Sequence, residues 1–282
     1  MALQLINQLP PHSCWVEAFC GSAALTLGKR KSAIEVINDI DGEIINVFKQ
    51  LRENEMELCR LISLTPYAKD EFENSRDIDI NDTELERARK FLVQAMMAIN
   101  GVFGKDRGGF SYSQSYSRNG RDARVNRWYN LPERLTEVVE RLRDVRIDNR
   151  DAVELLKMFI KRPATLVYLD PPYLGERSKG YTKDAYDEQF HEKLLSVAIK
   201  GRCMIFISGY DNEIYNSILT KNNEWSKRTI DTITKDIKGN GHKREEVVWM
   251  NKYFQEAMKT NKHLIRLTKK EIKENKLNPE RK

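Results

Sequence analysis

Paired cysteines are missing from this sequence. Cys14, Cys20, Cys59 and Cys203 stand far apart with no C-x-x-C spacing, and His12, His191, His242 and His263 are equally scattered. That argues against a zinc site or a disulfide framework, and for buried or incidental thiols in a reducing, cytoplasmic setting. No bound metal is expected. Long apolar runs are missing too: stretches such as the CMIFI of 203–207 fall far short of a bilayer span. The opening MALQLINQLPPH carries no charged n-region and no cleavage pattern, so neither a secretory signal nor a membrane partner is expected. No G-x-G-x-x-G occurs, which weakens the case for a nicotinamide cofactor. No internal repeat is visible.

What is present suits a globular protein. The 282 residues are 40% hydrophobic and 32% charged, enough for one large domain or a core with an insertion. A formal net charge of +6 favours a polyanionic partner without requiring one.

Short apolar runs alternate with helical patterns. Strands are expected at CWVEAF (14–19), SAIEVINDID (32–41), DVRIDN (144–149), TLVYLD (165–170) and CMIFISGY (203–210). Helical spacing appears over 43–62, 84–100, 151–162 and 187–200. RTIDTIT (228–234) and EEVVWMN (245–251) read as a strand pair around a polar loop. Such alternation predicts an α/β fold with a mostly parallel sheet, and the wholly apolar runs 165–169 and 203–207 are its central strands. Residues 101–130 break the rhythm, being rich in Gly, Ser, Tyr and Arg without a period. A loop of that length inside a compact domain is usually functional or disordered. The Lys-rich tail from Lys259 onward reads as a solvated helix or a frayed end.

Two strand ends carry chemistry. EAFCGSAA (17–24) puts small residues where a ligand can approach a helix start. About 20 residues further on, the next strand ends at Asp39, the spacing at which nucleotide-binding folds place an acid on ribose hydroxyls. A tight turn with an acidic cap at Asp39 or Asp41 explains the same residues equally well. Asp170 ends a buried strand and is followed by Pro171 and Pro172, which lack N–H groups. An acid oxygen and the Pro171 carbonyl then form two adjacent acceptors, suited to the two protons of an NH₂ group. Tyr173 offers a flat face beside them. Pulling on both protons favours a more tetrahedral nitrogen, so an exocyclic amine gains a usable lone pair through positioning alone.

VEAFCGSAAL, NDIDGEIINVFKQLR, NLPERLTEVVERLRDVRIDNRDAVELL, LVYLDPPY, ISGY and REEVVWMN, taken in order, resemble the Dam-type (D12 class) DNA adenine N6-methyltransferases, phage-like members especially. The resemblance spans residues 9 to 251. It implies an S-adenosylmethionine (SAM)-dependent methyltransferase fold, Rossmann-like, with an inserted DNA-recognition region. Residues 1–62 and 131–255 would form the catalytic core, 63–130 the insertion and 256–282 a basic tail. By motif, Glu17, Phe19 and Gly21 fall in the cofactor turn, Asp39 on the cofactor ribose and Asp151 near the cofactor adenine. Asp170, Pro171, Pro172 and Tyr173 form the catalytic turn. The partner would be double-stranded DNA, bound by a monomer or by a dimer on DNA, with the target base flipped out.

In the insertion, Arg107, Arg118, Arg121, Arg124 and Arg127 alternate with Phe110, Tyr112, Tyr116 and Trp128. The arginines are expected on phosphates or guanines, and Phe110 or another aromatic in the gap left by the flipped base. The stretch from Leu174 to Asp187 is expected to close over that base. Two departures from the family stand out. No Gly-Gly-Lys precedes the first helix, and Ala18 replaces the usual proline after Glu17. Both lead to an expectation of weak SAM binding. A catalytically weak or silent DNA-binding relic and an RNA adenine methyltransferase remain alternatives. A protein-glutamine methyltransferase is disfavoured because such enzymes usually carry Asn at the position of Asp170.

Overall fold

A computed structural model describes residues 2–77, 79, 81–99, 108–112, 120–174, 188–220, 224–235 and 241–262, without the side chains of 231–235 and 241–245. Arg107, Arg118 and Tyr116, the stretch 175–187 and most of the basic tail lie outside these residues.

Seven strands make one sheet. They are β1 (Cys14–Glu17), β2 (Ile34–Asn38), β3 (Val145–Asp148), β4 (Thr165–Leu169), β5 (Met204–Gly209), β6 (Ser226–Lys235) and β7 (Gly241–Met250). Their order is β3-β2-β1-β4-β5-β7-β6. All pairs from β3 to β5 are parallel, and β7 runs antiparallel to both its neighbours. The chain moves outward from β1 in one direction and from β4 in the other. A crevice therefore opens at the carboxyl ends of β1 and β4, the position where such sheets bind ligands.

The expected strands are all found, and the expected α/β sheet with them. The helical pattern over 43–62 is two helices, α3 (Gly42–Glu53) and α4 (Glu55–Leu64), divided at Asn54. Before them come α1 (Ala2–Ile6) and α2 (Ala24–Gly28); after them α5 (Lys69–Asn74), α6 (Glu84–Met97), α7 (Ala123–Tyr129) and α8 (Leu131–Leu142). The remaining helices are α9 (Ala152–Phe159), α10 (Glu188–Ala198), the short α11 (Glu213–Tyr215), continued as a π-turn to Thr220, and α12 (Lys252–Thr260).

Strand alternation divides the core. Val16, Val167, Leu169, Ile205 and Ile207 point to one face, where α9 and α10 cover them. Trp15, Leu166, Tyr168, Met204 and Phe206 point to the other, under Leu5 of α1 and Phe254 and Ala257 of α12. Beside that second cluster, Ile37 and Val145 join a helical layer built from α3 to α8. The boundary expected between 62 and 63 falls inside α4, whose Leu58 and Ile62 are both fully buried in this layer. The boundary at 255 and 256 likewise falls inside α12. Among the described residues all four cysteines are free thiols, and no helix is long and apolar enough to cross a membrane.

Candidate active site

The turn after β1 is held by backbone geometry. Gly21 and Ala23 both take left-handed φ, 47° and 52°. A Cβ on Gly21 would meet nothing within 4 Å, so the turn leaves open space at its tip. Gly21 N–H donates to Asp39 Oδ2 at 2.9 Å, and Asp41 N–H donates to Asp39 Oδ1 at 3.0 Å. Asp39 thus sits at the end of β2 facing the β1 turn. Burial raises its pKa, and these backbone donors oppose the rise. Each carboxylate oxygen retains a lone pair for a further donor. An acid so placed, beside a left-handed turn with open space, fits the ribose of an adenosyl cofactor.

Glu17 has other work. It is 2% exposed, and its Oε2 accepts from the N–H of Thr26 at 2.9 Å and from the Thr26 hydroxyl. Trp15 Nε1 in turn donates to that hydroxyl at 2.7 Å. Ala23, at the start of α2, offers no side-chain cap, so Glu17 caps the helix from the neighbouring strand. Desolvation, with help from Asp170, raises its pKa to about 7 against the Thr26 hydrogen bonds. Phe19 is half-buried and packs edge-on against Phe190 at 6.3 Å. Asp151 caps α9, accepting from Val153 N at 2.9 Å and Glu154 N at 3.1 Å. A residue without an expected role, Asn38, ties these loops together. Its amide donates to Ala18 O at 2.9 Å and Arg150 O at 3.0 Å and accepts from Arg150 N at 3.0 Å.

At the end of β4 the acid of the D-P-P-Y turn is clamped. Asp170 Oδ1 accepts from Ser208 Oγ at 2.6 Å and from the Tyr173 hydroxyl at 3.1 Å. Ser208 Oγ is 2.9 Å from the Tyr168 hydroxyl. Desolvation raises the Asp170 pKa, while Ser208, Tyr173 and Tyr168 pull it down. Among the described residues no backbone donor reaches the Pro171 carbonyl. The Tyr173 ring stands at 71° to Tyr210, 4.6 Å away, and burial raises its hydroxyl pKa strongly. Ser208 and Tyr168 were not expected at the site. For Tyr168 a signal was present, since in a strand it shares a face with Asp170; Ser208 reaches the site only through the pairing of β4 with β5.

The insertion requires a correction. Phe110 is no exposed wedge. It is 9% exposed and packs against Tyr67 at 5.1 Å and Phe72 at 5.9 Å. The reason lies in the strand-like segment 108–112, which pairs with the end of α6: Ile99 N–H donates to Gly109 O at 2.9 Å and Ser111 N–H to Met97 O at 2.8 Å. Phe110, at the Ala98 bridge, is turned inward, and Tyr112, beyond the last paired residue, is turned out to solvent. A Cβ on Gly108 would meet Ile99 O at 2.5 Å, so only glycine permits this approach. Tyr112 is 77% exposed, its ring edge-on to Phe110 at 4.8 Å. Trp128 is also interior, donating through Nε1 to Thr65 O at 2.7 Å.

The described arginines stay outside. Arg121 and Arg127 are exposed and Arg124 is half-buried. Arg124 and Arg127 lie on α7, Arg124 one turn before the Trp128 anchor, and Arg121 just precedes its cap Asp122. Arg121 lies over the Tyr129 ring at 4.0 Å. Arg124 and Arg127 lower the pKa of Tyr67, against the burial that raises it, and the Tyr67 hydroxyl donates to Ser111 O at 2.7 Å. The arginines therefore neighbour the segment that carries Tyr112.

Comparison with known proteins bears on this geometry. The model of the D12 class N6 adenine-specific DNA methyltransferase family matches residues 1–272. Solved structures resemble the chain only distantly. A Streptococcus mutans protein in complex with SAH is 10% identical, covering 89% of this chain and 94% of its own, with a TM-score of 0.36. An rRNA methylase from Streptococcus thermophilus is 11% identical, covering 89% and 92%, with a TM-score of 0.32. Precorrin 8w decarboxylase from Methanobacterium thermoautotrophicum is 11% identical, covering 88% and 85%, with a TM-score of 0.33. Likeness at this level says nothing about substrate. Among curated proteins none matches. The family match spans nearly the whole chain and includes both strand-end turns: the protein belongs to the D12 class of N6 adenine-specific DNA methyltransferases, which act with SAM.

Proposed function

We propose that the protein transfers a methyl group to N6 of adenine in duplex DNA, on a base turned out of the helix. One observation carries this reading. Both donors to Asp170 use the same oxygen, Oδ1. Among the described residues no donor takes Oδ2 or the neighbouring Pro171 carbonyl, and the two form a pair of acceptors matching the two protons of an exocyclic amine. Tyr173 provides an aromatic face for the base. SAM, when bound, supplies an electrophilic methyl group. Asp39 orients its ribose, and the left-handed turn at Gly21 lets it approach the backbone. Asp170 and Pro171 draw on the two amine protons, so the N6 lone pair is freed from the ring and aimed. The proton released on methylation leaves along the hydrogen bond to Oδ2.

N6 is paired and stacked in a duplex, so the base must leave the helix. Arg121, Arg124 and Arg127 act on phosphates, with Arg107 and Arg118 assigned the same role by sequence. Tyr112 is the aromatic with the exposure to fill the vacated stack. Glu17 and Asp151 serve this site by capping the helices beside it.

The test is transfer of tritiated methyl from SAM to duplex DNA, single-stranded DNA and RNA, followed by digestion to nucleosides. The expected product is N6-methyladenine, with the duplex as best substrate. Label confined to RNA would move the substrate class. No label in any nucleic acid, with duplex still bound, would make the protein a silent binder.

A further inference from the structure

Asp170 can help an amine only if its carboxylate is turned the right way, and the β4 and β5 strands carry a device for that. Leu169 pairs with Ile207 in the parallel register of β4 and β5. One residue further on, Asp170 and Ser208 are neighbours across the strands, and both continue the face that carries Tyr168 and Phe206. Ser208 is fully buried and Tyr168 nearly so, at 0% and 2% exposure. Tyr168 is held from below, stacking on Phe206 at 4.6 Å and on Trp15 at 6.3 Å.

Proton counting fixes the direction of the chain. A serine hydroxyl has one proton. At 2.6 Å from an acceptor-only carboxylate, Ser208 donates it to Asp170 Oδ1. The 2.9 Å contact with Tyr168 must then run the other way, with the tyrosine hydroxyl donating to Ser208 Oγ. Tyr173 supplies a second donor to Oδ1. Two donors on one oxygen hold the carboxylate plane, and a buried relay cannot rotate away without leaving a polar group unsatisfied.

We infer that Ser208 and Tyr168 are positioning residues for methyl transfer: through Oδ1 they set the rotation of the Asp170 carboxylate and present Oδ2 to the target amine. The inference rests on the proposed function for the identity of that amine, but the clamp itself exists without it. The relay also keeps the acid ionised. Desolvation favours its protonated form, and each donor to Oδ1 opposes that. Among the described residues the other titratable groups around it are Glu17 of β1, Tyr168 and Tyr173 of its own segment, Tyr215 of α11 and, beside Tyr173, Glu246 of β7, none of which is a cation. Within this set the hydrogen bonds to Oδ1 carry the task.

The test uses Ser208→Ala and Tyr168→Phe in the full chain with two readouts. The first is direct titration of Asp170 by carbon-13 carboxyl NMR, with the resonance assigned by its loss in Asp170→Asn. The second is the pH profile of kcat with KM for DNA. Removing a donor to the ionised form raises the pKa, so the Asp170 titration and the acid limb of kcat both move to higher pH in Ser208→Ala. Its kcat at neutral pH falls on the order of ten-fold or more, with KM unchanged. Tyr168→Phe moves both readouts the same way by less, because Ser208 still donates. It deletes one oxygen and carries the test if Ser208→Ala does not fold. An Asp170 titration unmoved in folded variants overturns the inference, as does a rise in KM with kcat intact. If no nucleic acid accepts methyl while the NMR titration shifts as expected, the substrate reading falls and the clamp stands.

Discussion

The carboxyl edge of the sheet and the outer face of the helical layer are built on opposite terms. At the edge, Asp170 is positioned by strand register, and its partners are buried serine and tyrosine hydroxyls at 2.6 and 3.1 Å. On the layer, Arg121 and Arg127 stand in solvent at the start and end of α7, while Trp128 and Phe110 are interior. Electrostatics at the edge act at low dielectric and over short distances, where one atom matters a great deal. On the layer they are screened, and contributions are small and additive. On the proposed function, chemistry belongs to the over-determined place and affinity to the adaptable one.

The largest effect expected from breaking this contrast is at the edge. Asp170→Ala lowers single-turnover methyl transfer by ~10²-fold or more, while duplex affinity measured by filter binding stays within a few-fold because the basic surface supplies it. A variant retaining over about a tenth of the rate would remove Asp170 from the chemistry.

Next in size is the interior of the layer. Phe110→Ala destabilises the fold by ~3–5 kcal/mol in urea unfolding, as for other buried aromatics. Tyr112→Ala leaves stability within ~0.5 kcal/mol and instead weakens binding to a duplex with a displaced adenine. If Phe110→Ala leaves stability intact and lowers binding, Phe110 returns to the wedge and the contrast between the two side chains fails.

A comparable effect belongs to the second acid of the edge. Glu17 is raised from 4.5 to about 7 in the fold. A raised carboxylate stabilises the fold fully below its unfolded pKa and loses that contribution as pH rises through the folded one. Wild-type stability should therefore fall between pH 4.5 and about 7 by roughly 3 kcal/mol from this group. Glu17→Gln, which still accepts from Thr26, should remove that part of the slope. Urea midpoints at pH 5 and pH 8 decide it; equal slopes in both proteins would place the Glu17 pKa near normal.

Smallest per residue is the outer surface. Changing Arg121, Arg124 and Arg127 together to Ala should flatten the dependence of log affinity on log salt by roughly 0.9 for each phosphate that is no longer neutralised, with kcat unchanged at saturating DNA. An unaltered slope returns these arginines to ordinary surface charge.

The two regions also differ in how far they can be read from sequence. The strands show in sequence, the central β4 and β5 as wholly apolar runs and β6 and β7 as a pair around a polar loop, because a strand's burial is written in consecutive residues. The acid at the end of a buried strand and the paired prolines of the D-P-P-Y turn are equally local. The helical pattern over 43–62 hid a break at Asn54, since two helices in line keep a similar period across one non-helical residue. Phe110 and Tyr112 illustrate the harder case. Two aromatics among arginines look alike in sequence, and which one is buried depends on where the pairing with residues 97–99 ends: it holds 109–111, with Phe110 at its centre and Tyr112 beyond it.

By itself, then, the sequence determined the α/β class, the strand ends that matter, and the family, because each rests on short-range pattern and ordered motifs. Tertiary structure alone decided the duties of the polar groups. Glu17 became a cap for α2, Ser208 and Tyr168 became the clamp on Asp170, and Phe110 went inside. Hydrogen-bond partners 40 positions apart, as Tyr168 and Ser208 are, are set by sheet register and packing, and no local pattern encodes which strand will lie beside which.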